Sequence, residues 1–417
     1  MLQSPLDPYQ QRKLARLKIL QVSPEFPPYS LGGGGLFVQN LASGLHRQGH
    51  QVTVATGFFA VTSILERPFS TNCRGTAVIW LPLFPAPNVG FQLKTITPPN
   101  LFSIEQLARV LMIRDFDMVH IHGFGHLLCD YAATMCRVLG KKYVLTIHGF
   151  PKEPRRRGGV LSMMYNAYAK TLGAETIRHA TKVVAVSNSI ASECHEYVTN
   201  RNIAVIRNAV DTSLYYAAPS AQKMENTMIR YNLVGKSVIL CIGRLSEAKG
   251  FQYLIRALPI VRKKIPNVHL VIVGKDNGYG YLRKLTKLAT QEGVEPYISF
   301  VGGVNDEEKK ALLWIAPVVA IPSVEEPFGI VALEAMASGK PIIASKVGGL
   351  KEILSADKYS LLVESESSEQ LAQALISAMN DESMIIGAKT DRISRSEQFD
   401  LNRMVLKYID LYRTWKK

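Results

Sequence analysis

Short aliphatic and β-branched runs alternate with helical patterns along most of the chain, and this alternation restricts the possible fold more than any other feature. LKILQVS (17–23) reads as a buried strand. LFVQNLASGLHRQG follows as a helix with Phe37, Leu41, Gly44 and Leu45 on one face. HQVTVAT, DMVHIHG, KKYVLTIHG, KVVAVS and NIAVIRN continue the strand series, with helices expected over 125–139, 160–180 and 188–199. Strands that are apolar throughout are buried on both faces. With helices between them they form parallel sheets covered on each side. The stretch 57–104 breaks the pattern: it holds many prolines and reads as loops around one strand, AVIWLPLF. Residues 211–234 are polar with little periodicity. A second alternation then begins at KSVILCIG. Its first helix, GFQYLIRALPIVRKKIP, spaces Phe251, Leu254, Ile255, Leu258, Val261 and Ile265 at 3–4 residues. NVHLVIVG, YISFVGG, PVVAIPS, KPIIASK and YSLLVES follow as strands separated by helices.

The expected fold class is α/β, with two Rossmann-like doubly wound parallel-sheet domains. The first spans 1–212 and the second 213–395. The segment 396–417 is amphipathic (Leu401, Met404, Val405, Tyr408, Tyr412) and is expected to return to the first domain. A length of 417 residues suits two or three domains, each with a proper core. With 47% apolar and 20% charged residues the chain is not of the disordered class. The longest apolar stretch, LLWIAPVVAIPSV, is too short to span a membrane and carries two prolines. MLQSPLDPYQQRKLAR has no apolar core and does not read as a signal peptide. Five scattered cysteines (Cys73, Cys129, Cys136, Cys194, Cys241) without a CxxC support neither a disulfide framework nor a zinc site. The expected compartment is a reducing cytoplasm. Lys and Arg number 49 against 34 acidic residues, a net +15. That charge fits nucleic acid, an anionic membrane face or phosphorylated small molecules, and composition does not choose among them.

In open parallel sheets, ligands bind beyond the carboxyl ends of the strands. Two such domains facing each other would share one cleft, and the informative residues do follow strands. Gly32, Gly33, Gly34 and Gly35 come after the first strand and open the first helix, where backbone amides and the helix dipole suit a phosphate; the alternative is a plain tight turn. The run is not G-x-G-x-x-G, and no acidic residue ends the next strand, so a dinucleotide site is weakly supported. His120 and His122 point to the same side of their strand. His122 stands at the strand end, and His120, one pleat further in, reads as a satisfied core histidine. His148 ends the next strand. No third ligand for a metal is evident beside these histidines. Asp115 and Asp117 resemble the D-x-D of metal-dependent sugar transferases, but they precede their strand and read as a helix-to-strand turn. In CIGRLSEAKGFQYLI, Arg244 and Lys249 flank the turn after a strand, and Gly250 opens the helix. Two cations and a helix start suit a diphosphate; a solvated basic turn is the alternative. In PSVEEPFGIVALEAMASGKPIIAS, Glu326 precedes a turn and Glu334, eight residues on, lies in the following helix. Two carboxylates so placed suit hydroxyls along one polyol, and the amides of Phe328, Gly329 and Ile330 are helix-start donors. A helix with acidic residues complementing its dipole is the alternative.

With these segments in order, the chain resembles a retaining glycosyltransferase of family four, of GT-B architecture, from about Leu17 to Pro341 and beyond. The E-x7-E segment from Glu326 to Glu334 is the most specific part, followed by GRLSEAKG. The resemblance implies a nucleotide-sugar donor, UDP- or GDP-linked, a hydroxyl acceptor (lipid-linked, glycan or small polyol), and neither metal nor cofactor. It implies that Gly32 and Gly33 bring amides to the donor phosphate and that His122 contacts the transferring sugar. Arg244 and Lys249 would neutralise the leaving diphosphate. Glu326 with the amides of Phe328, Gly329 and Ile330 would hold the sugar hydroxyls, Glu334 the ribose hydroxyls, and Asn208 would help shape the cleft. Arg207-Asn208-Ala209 stands where the family usually has Pro-Asn-Gly, and Pro327 where glycine is frequent. The rival readings are a nucleotide-sugar epimerase on the same scaffold, a basic nucleic-acid-binding protein, which no recognition motif supports, and a phosphorylase.

Pro151, Lys152, Glu153, Pro154, Arg155, Arg156 and Arg157 form a basic turn, and Leu161, Met164, Tyr165, Tyr168 and Leu172 follow at helical spacing. The turn suits an anionic lipid head group or acidic acceptor, which would make the protein peripheral at the inner membrane face. The alternative is an ordinary core stripe with solvated arginines. Selection of the base is expected from loops near 275–279 and 302–304.

Overall fold

The computed structural model describes residues 16–29, 32–59, 67–84, 97–150, 159–198, 203–276 and 280–414. The chain divides into two compact units. The first comprises Met1–Val184, Cys194–Ala204 and Lys407–Lys417, and the second Ala185–Glu193 and Val205–Leu406. The division therefore places 205–212 and 396–406 in the second unit.

The first unit is built on β1 (Lys18–Ser23), β2 (Gln51–Phe59), β3 (Phe69–Cys73), β4 (Thr76–Leu83), β5 (Met118–His122), β6 (Tyr143–Ile147), β7 (Lys182–Ala185) and β8 (Ile203–Val205). They form one sheet in the order β3-β4-β2-β1-β5-β6-β7-β8. β1 lies between β2 and β5, parallel to both, with Ile19 opposite Val52 and Met118. Connections that go one way from β1 to β2 and the other way to β5 create a switch point, so the carboxyl ends of β1 and β5 flank the natural ligand crevice.

The region 57–104 differs from the sequence expectation of loops around one strand. β2 runs on to Phe59, and β3 pairs antiparallel with β4 through a turn in which Arg74 and Gly75 both have positive φ. β3, FSTNC, is largely exposed, so this edge strand has no apolar run to reveal it. The helix Leu101–Ile113 follows, its start capped by the Asn100 side chain, which accepts from the Ser103 amide at 2.9 Å. The expected helix over 160–180 is present in three pieces: Gly159–Tyr168, a π-helical stretch Ala169–Gly173, and Ala174–His179.

The second unit carries β9 (Ser237–Ile242), β10 (Val268–Val273), β11 (Ile298–Gly302), β12 (Val318–Ile321), β13 (Ile342–Ser345) and β14 (Ser360–Val363), in the order β11-β10-β9-β12-β13-β14. This is the 3-2-1-4-5-6 order of a Rossmann sheet, with its switch point between β9 and β12. The helix Phe251–Lys264 buries Phe251, Leu254, Ile255, Leu258 and Val261 against the sheet, as its spacing predicts. Residues 211–234, which show little periodicity, hold the helix Ala221–Arg230, started by a Ser220 cap on the Lys223 amide.

The helix Leu401–Arg413 passes from the second unit into the first. Its Tyr408 and Tyr412 are fully buried in the first unit beside His120 and Thr146, as expected of a returning segment.

Candidate active site

In the second unit, β9 ends at Ile242, and Gly243 and Arg244 follow at the switch point. A short 3-10 turn, Glu247–Lys249, then leads through Gly250 into the helix Phe251–Lys264. The next strand in the sheet, β12, ends at Ile321, and its loop carries Glu326 toward the same place. The two loops are stitched together: the Ala248 carbonyl accepts from the amides of Val324 (2.8 Å) and Glu325 (3.3 Å). Lys249 Nζ donates to Glu326 Oε2 at 2.5 Å, with side chains 25% and 13% exposed. The structure therefore brings together two of the residues singled out from sequence and pairs them with each other. Arg244 is partly buried and is itself engaged.

Beyond Glu326 the chain turns through Phe328, which is buried and packs edge-on against Phe399. Gly329, at φ +107°, precedes the helix Ile330–Ala337. The amides of Phe328, Gly329 and Ile330 lie at this helix start, where the first N–H groups have no intrahelical acceptor. Glu334 sits one turn further on and is buried; its Oε1 accepts from Lys309 Nζ (2.7 Å) and the Tyr215 hydroxyl (3.0 Å). Asn208 is buried as well, and its Oδ1 has no hydrogen-bond partner among the described residues. Of the loops expected near the base, 277–279 lies outside the described residues. Lys275 does reach Gly303, where an added Cβ would meet its Cε at 2.6 Å.

The first unit carries its own set. Gly32 is extended and precedes the helix Gly33–Arg47, so the glycine run does open a helix. A residue that sequence reasoning did not single out, Glu25, sits against this start: its Oε1 accepts from the Gly35 amide at 3.2 Å. A carboxylate at a helix start is favoured by the same dipole and free amides that favour a phosphate. His122, at the end of β5, is buried; its Nδ1 lies 3.5 Å from His148 Nε2, and its own Nε2 has no partner among the described residues. Burial first, and then the neighbouring His120 and His148, hold the His122 imidazole well below its ordinary pKa. Burial, with His126, lowers His148 to about 4. At neutral pH both rings are uncharged, and because one ring donates to the other across this contact, the pair keeps one outward nitrogen that accepts and one that donates. His120 is the satisfied core histidine its position predicts, bonded to the Tyr412 hydroxyl (2.6 Å) and Thr146 Oγ1 (2.7 Å).

Two further expectations meet the structure here. Asp117 Oδ2 accepts from the Lys18 amide at 2.8 Å, at the amino end of β1, which makes it a turn residue. The stripe after the basic turn divides: Tyr165 is buried and Tyr168 donates to the buried Asp130, whereas Met164 and Leu172 are exposed, as is Met163 outside the stripe. The basic turn itself, with Arg155, Arg156 and Arg157, and the Leu161 side chain lie outside the described residues.

Both units thus place polar side chains and helix starts at the carboxyl ends of their switch-point strands. Residues 31–214 match the family described as Glycosyltransferase Family 4, and residues 225–396 match Glycosyl transferases group 1. The chain is 30% identical over 416 residues to an uncharacterized glycosyltransferase of Methanocaldococcus jannaschii, covering 95% of this chain and 98% of that one. The protein is a glycosyltransferase. It belongs to the family-4-like members with the GT-B fold. The sucrose-phosphate synthase of Thermosynechococcus elongatus superposes on this glycosyltransferase with a TM-score of 0.78 at 20% identity, over 96% of this chain and 99% of that one. HepE of Anabaena, solved in complex with UDP and glucose, superposes with a TM-score of 0.75 at 21% identity, over 96% and 100%. No helix among the described residues is long and apolar enough to cross a membrane.

Proposed function

We propose that this glycosyltransferase moves a sugar from a UDP- or GDP-linked donor to a hydroxyl acceptor with retention of anomeric configuration, and that it needs no metal to do so. The observation that carries this reading is the Lys249–Glu326 pair at the switch point of the second sheet, with Arg244 just after the same strand as Lys249 and a helix start after each loop. Breaking the bond between the anomeric carbon and the donor phosphate leaves a nucleoside diphosphate whose charge grows as the bond lengthens. Cations and amides already in place stabilise that charge without reorganising. In this scheme Arg244 and Lys249 take the diphosphate. Glu326, whose Oε2 holds Lys249, offers its other oxygen to a sugar hydroxyl. Glu334 takes the ribose hydroxyls. In the first unit, Gly32 and Gly33 bring amides to the donor phosphate. Neutral His122 contacts the sugar being transferred, with His148 next to it, and Asn208 shapes the site.

The acceptor oxygen then attacks the anomeric carbon from the face the phosphate leaves. One C–O bond breaks, one forms, and the acceptor's proton passes to the departing phosphate oxygen. No protein base is required. The UDP and glucose bound by the structural neighbour HepE support a nucleotide-sugar donor.

A panel of UDP- and GDP-sugars, followed for slow donor hydrolysis with chelator present, tests the proposal. One donor is expected to be consumed at a rate the chelator does not change; consumption of none, or only with a divalent cation, overturns it. Lys249→Ala is expected to lower kcat by roughly 10²–10³-fold. For the acceptor, the exposed Met163 and Met164 beyond the basic turn support contact with an anionic membrane. Flotation with anionic vesicles at low salt is the expected result, and failure to float removes that part of the reading.

A further inference from the structure

Glu334 is only 7% exposed, and three separate elements converge on it. It stands on the helix Ile330–Ala337; Lys309 comes from the helix Asp306–Ile315 and Tyr215 from the short helix Ser213–Tyr216. Both partners bind the same oxygen, Oε1, at 2.7 and 3.0 Å. No partner is found for Oε2 among the described residues. The donors are themselves held. Trp314 Nε1, on the same helix as Lys309, donates to the Tyr215 carbonyl at 3.1 Å, and the Lys309 ammonium lies 5.8 Å from the Tyr215 ring centroid. The Lys309 side chain is 16% exposed.

An ion so far from bulk water is stable only with a counter-ion and hydrogen bonds. Burial alone would lower the Lys309 pKa, but Glu334 and Tyr215 together more than offset this and the net direction is upward, so the ammonium stays charged. Burial first, and then Glu334, raise the Tyr215 hydroxyl, which therefore remains a donor. A carboxylate gripped at one oxygen by two fixed donors cannot exchange its oxygens by rotating. Its other oxygen is an acceptor with a set direction and two lone pairs to fill.

We propose that Lys309 and Tyr215 are positioning residues that pin Oε1 of Glu334, so that Oε2 reads the vicinal hydroxyls of the donor's ribose and makes the site selective for ribonucleotides. The proposal rests on the reading of Glu334 as the ribose acceptor. A deoxy donor leaves Oε2 buried without its hydrogen bond, which is how a polar site rejects an analogue lacking a hydroxyl.

The test is calorimetric binding of UDP, GDP and ADP to the full chain, then of the 2′- and 3′-deoxy forms of whichever binds most tightly. Wild type is expected to prefer the ribonucleotide by about tenfold or more over at least one deoxy form. Tyr215→Phe is expected to reduce that ratio by about threefold and Lys309→Met to nearly one, with Lys309→Arg recovering part of it. A purely structural role would leave the ribose preference unmoved, and recovery in Lys309→Arg separates the need for a charge at this position from the need for bulk. Should Lys309→Met not fold by circular dichroism, Tyr215→Phe decides alone. A wild type that does not discriminate, or variants that bind nucleotide with an unchanged ratio, overturn the inference and leave the donor reading standing. A wild type that binds none of the three diphosphates overturns both.

Discussion

Gly250 occupies a position no other residue fits. Its φ is +69°, and an added Cβ would lie 1.8 Å from the Pro322 carbonyl oxygen. This close approach lets the turn bearing Lys249 lie against the loop bearing Glu326. Gly250→Ala is expected to destabilise the second unit by about 2–4 kcal/mol, because it combines strain with a backbone clash, and to lose transfer activity with it; thermal melts and donor hydrolysis read the two effects. At this scale the sequence reveals residues whose position in a strand-turn-helix unit is itself informative. Lys249 and Glu326 follow strands and His122 ends one. Tyr215 and Lys309 carry no such mark, since their meaning comes from partners: Tyr215 reaches Glu334 across 119 residues and Lys309 across 25. One sequence does not print those contacts.

Among the elements, the buried strands are legible because being covered on both faces requires unbroken apolar runs. The strand β3 and the helix Ala221–Arg230 were hidden for the opposite reason, being mostly exposed and polar. The π-helical stretch Ala169–Gly173 leaves no periodic signature either, and it lies next to a buried anchor. Asp130 accepts from Thr176 Oγ1 at 2.6 Å and from the Tyr168 hydroxyl, which ties the helices on both sides of that stretch to Leu127–Val138. Burial raises the Asp130 pKa to about 6, while the Thr176 and Tyr168 bonds oppose the rise. Asp130→Ala removes the acceptor of the Tyr168 hydroxyl and leaves Thr176 Oγ1 only the Leu172 carbonyl at 3.2 Å, and a loss of about 1–3 kcal/mol is expected. Hydrogen exchange should show the loosening concentrated in 159–179.

For the molecule as a whole, the alternation of strands and helices made both Rossmann-like sheets legible, whereas the points at which the chain passes between the units depend on packing. The buried histidines give the first unit a pH dependence. His148 titrates at about 4 in the folded state against 6.5 for an ordinary histidine, and His120 and His122 are also lowered by burial. The unfolded chain therefore binds more protons between these values, and stability falls as pH drops from about 6.5 toward 4. Asp130, held up to about 6, works in the opposite direction over part of that window, since its protonation relieves a buried charge. Three histidines outweigh one carboxyl, so the melting temperature is expected to decline across this range. A flat or rising profile in calorimetric scans would contradict the burial of this cluster.

The bond between His120 and Tyr412 joins residues 292 positions apart. Protein synthesis is directional, so the sheet that leaves the ribosome first waits for tyrosines made after the entire second sheet. Until they arrive, a core imidazole lacks one of its partners, and the early half of the enzyme is a nascent intermediate that depends on the late half for its last buried contacts.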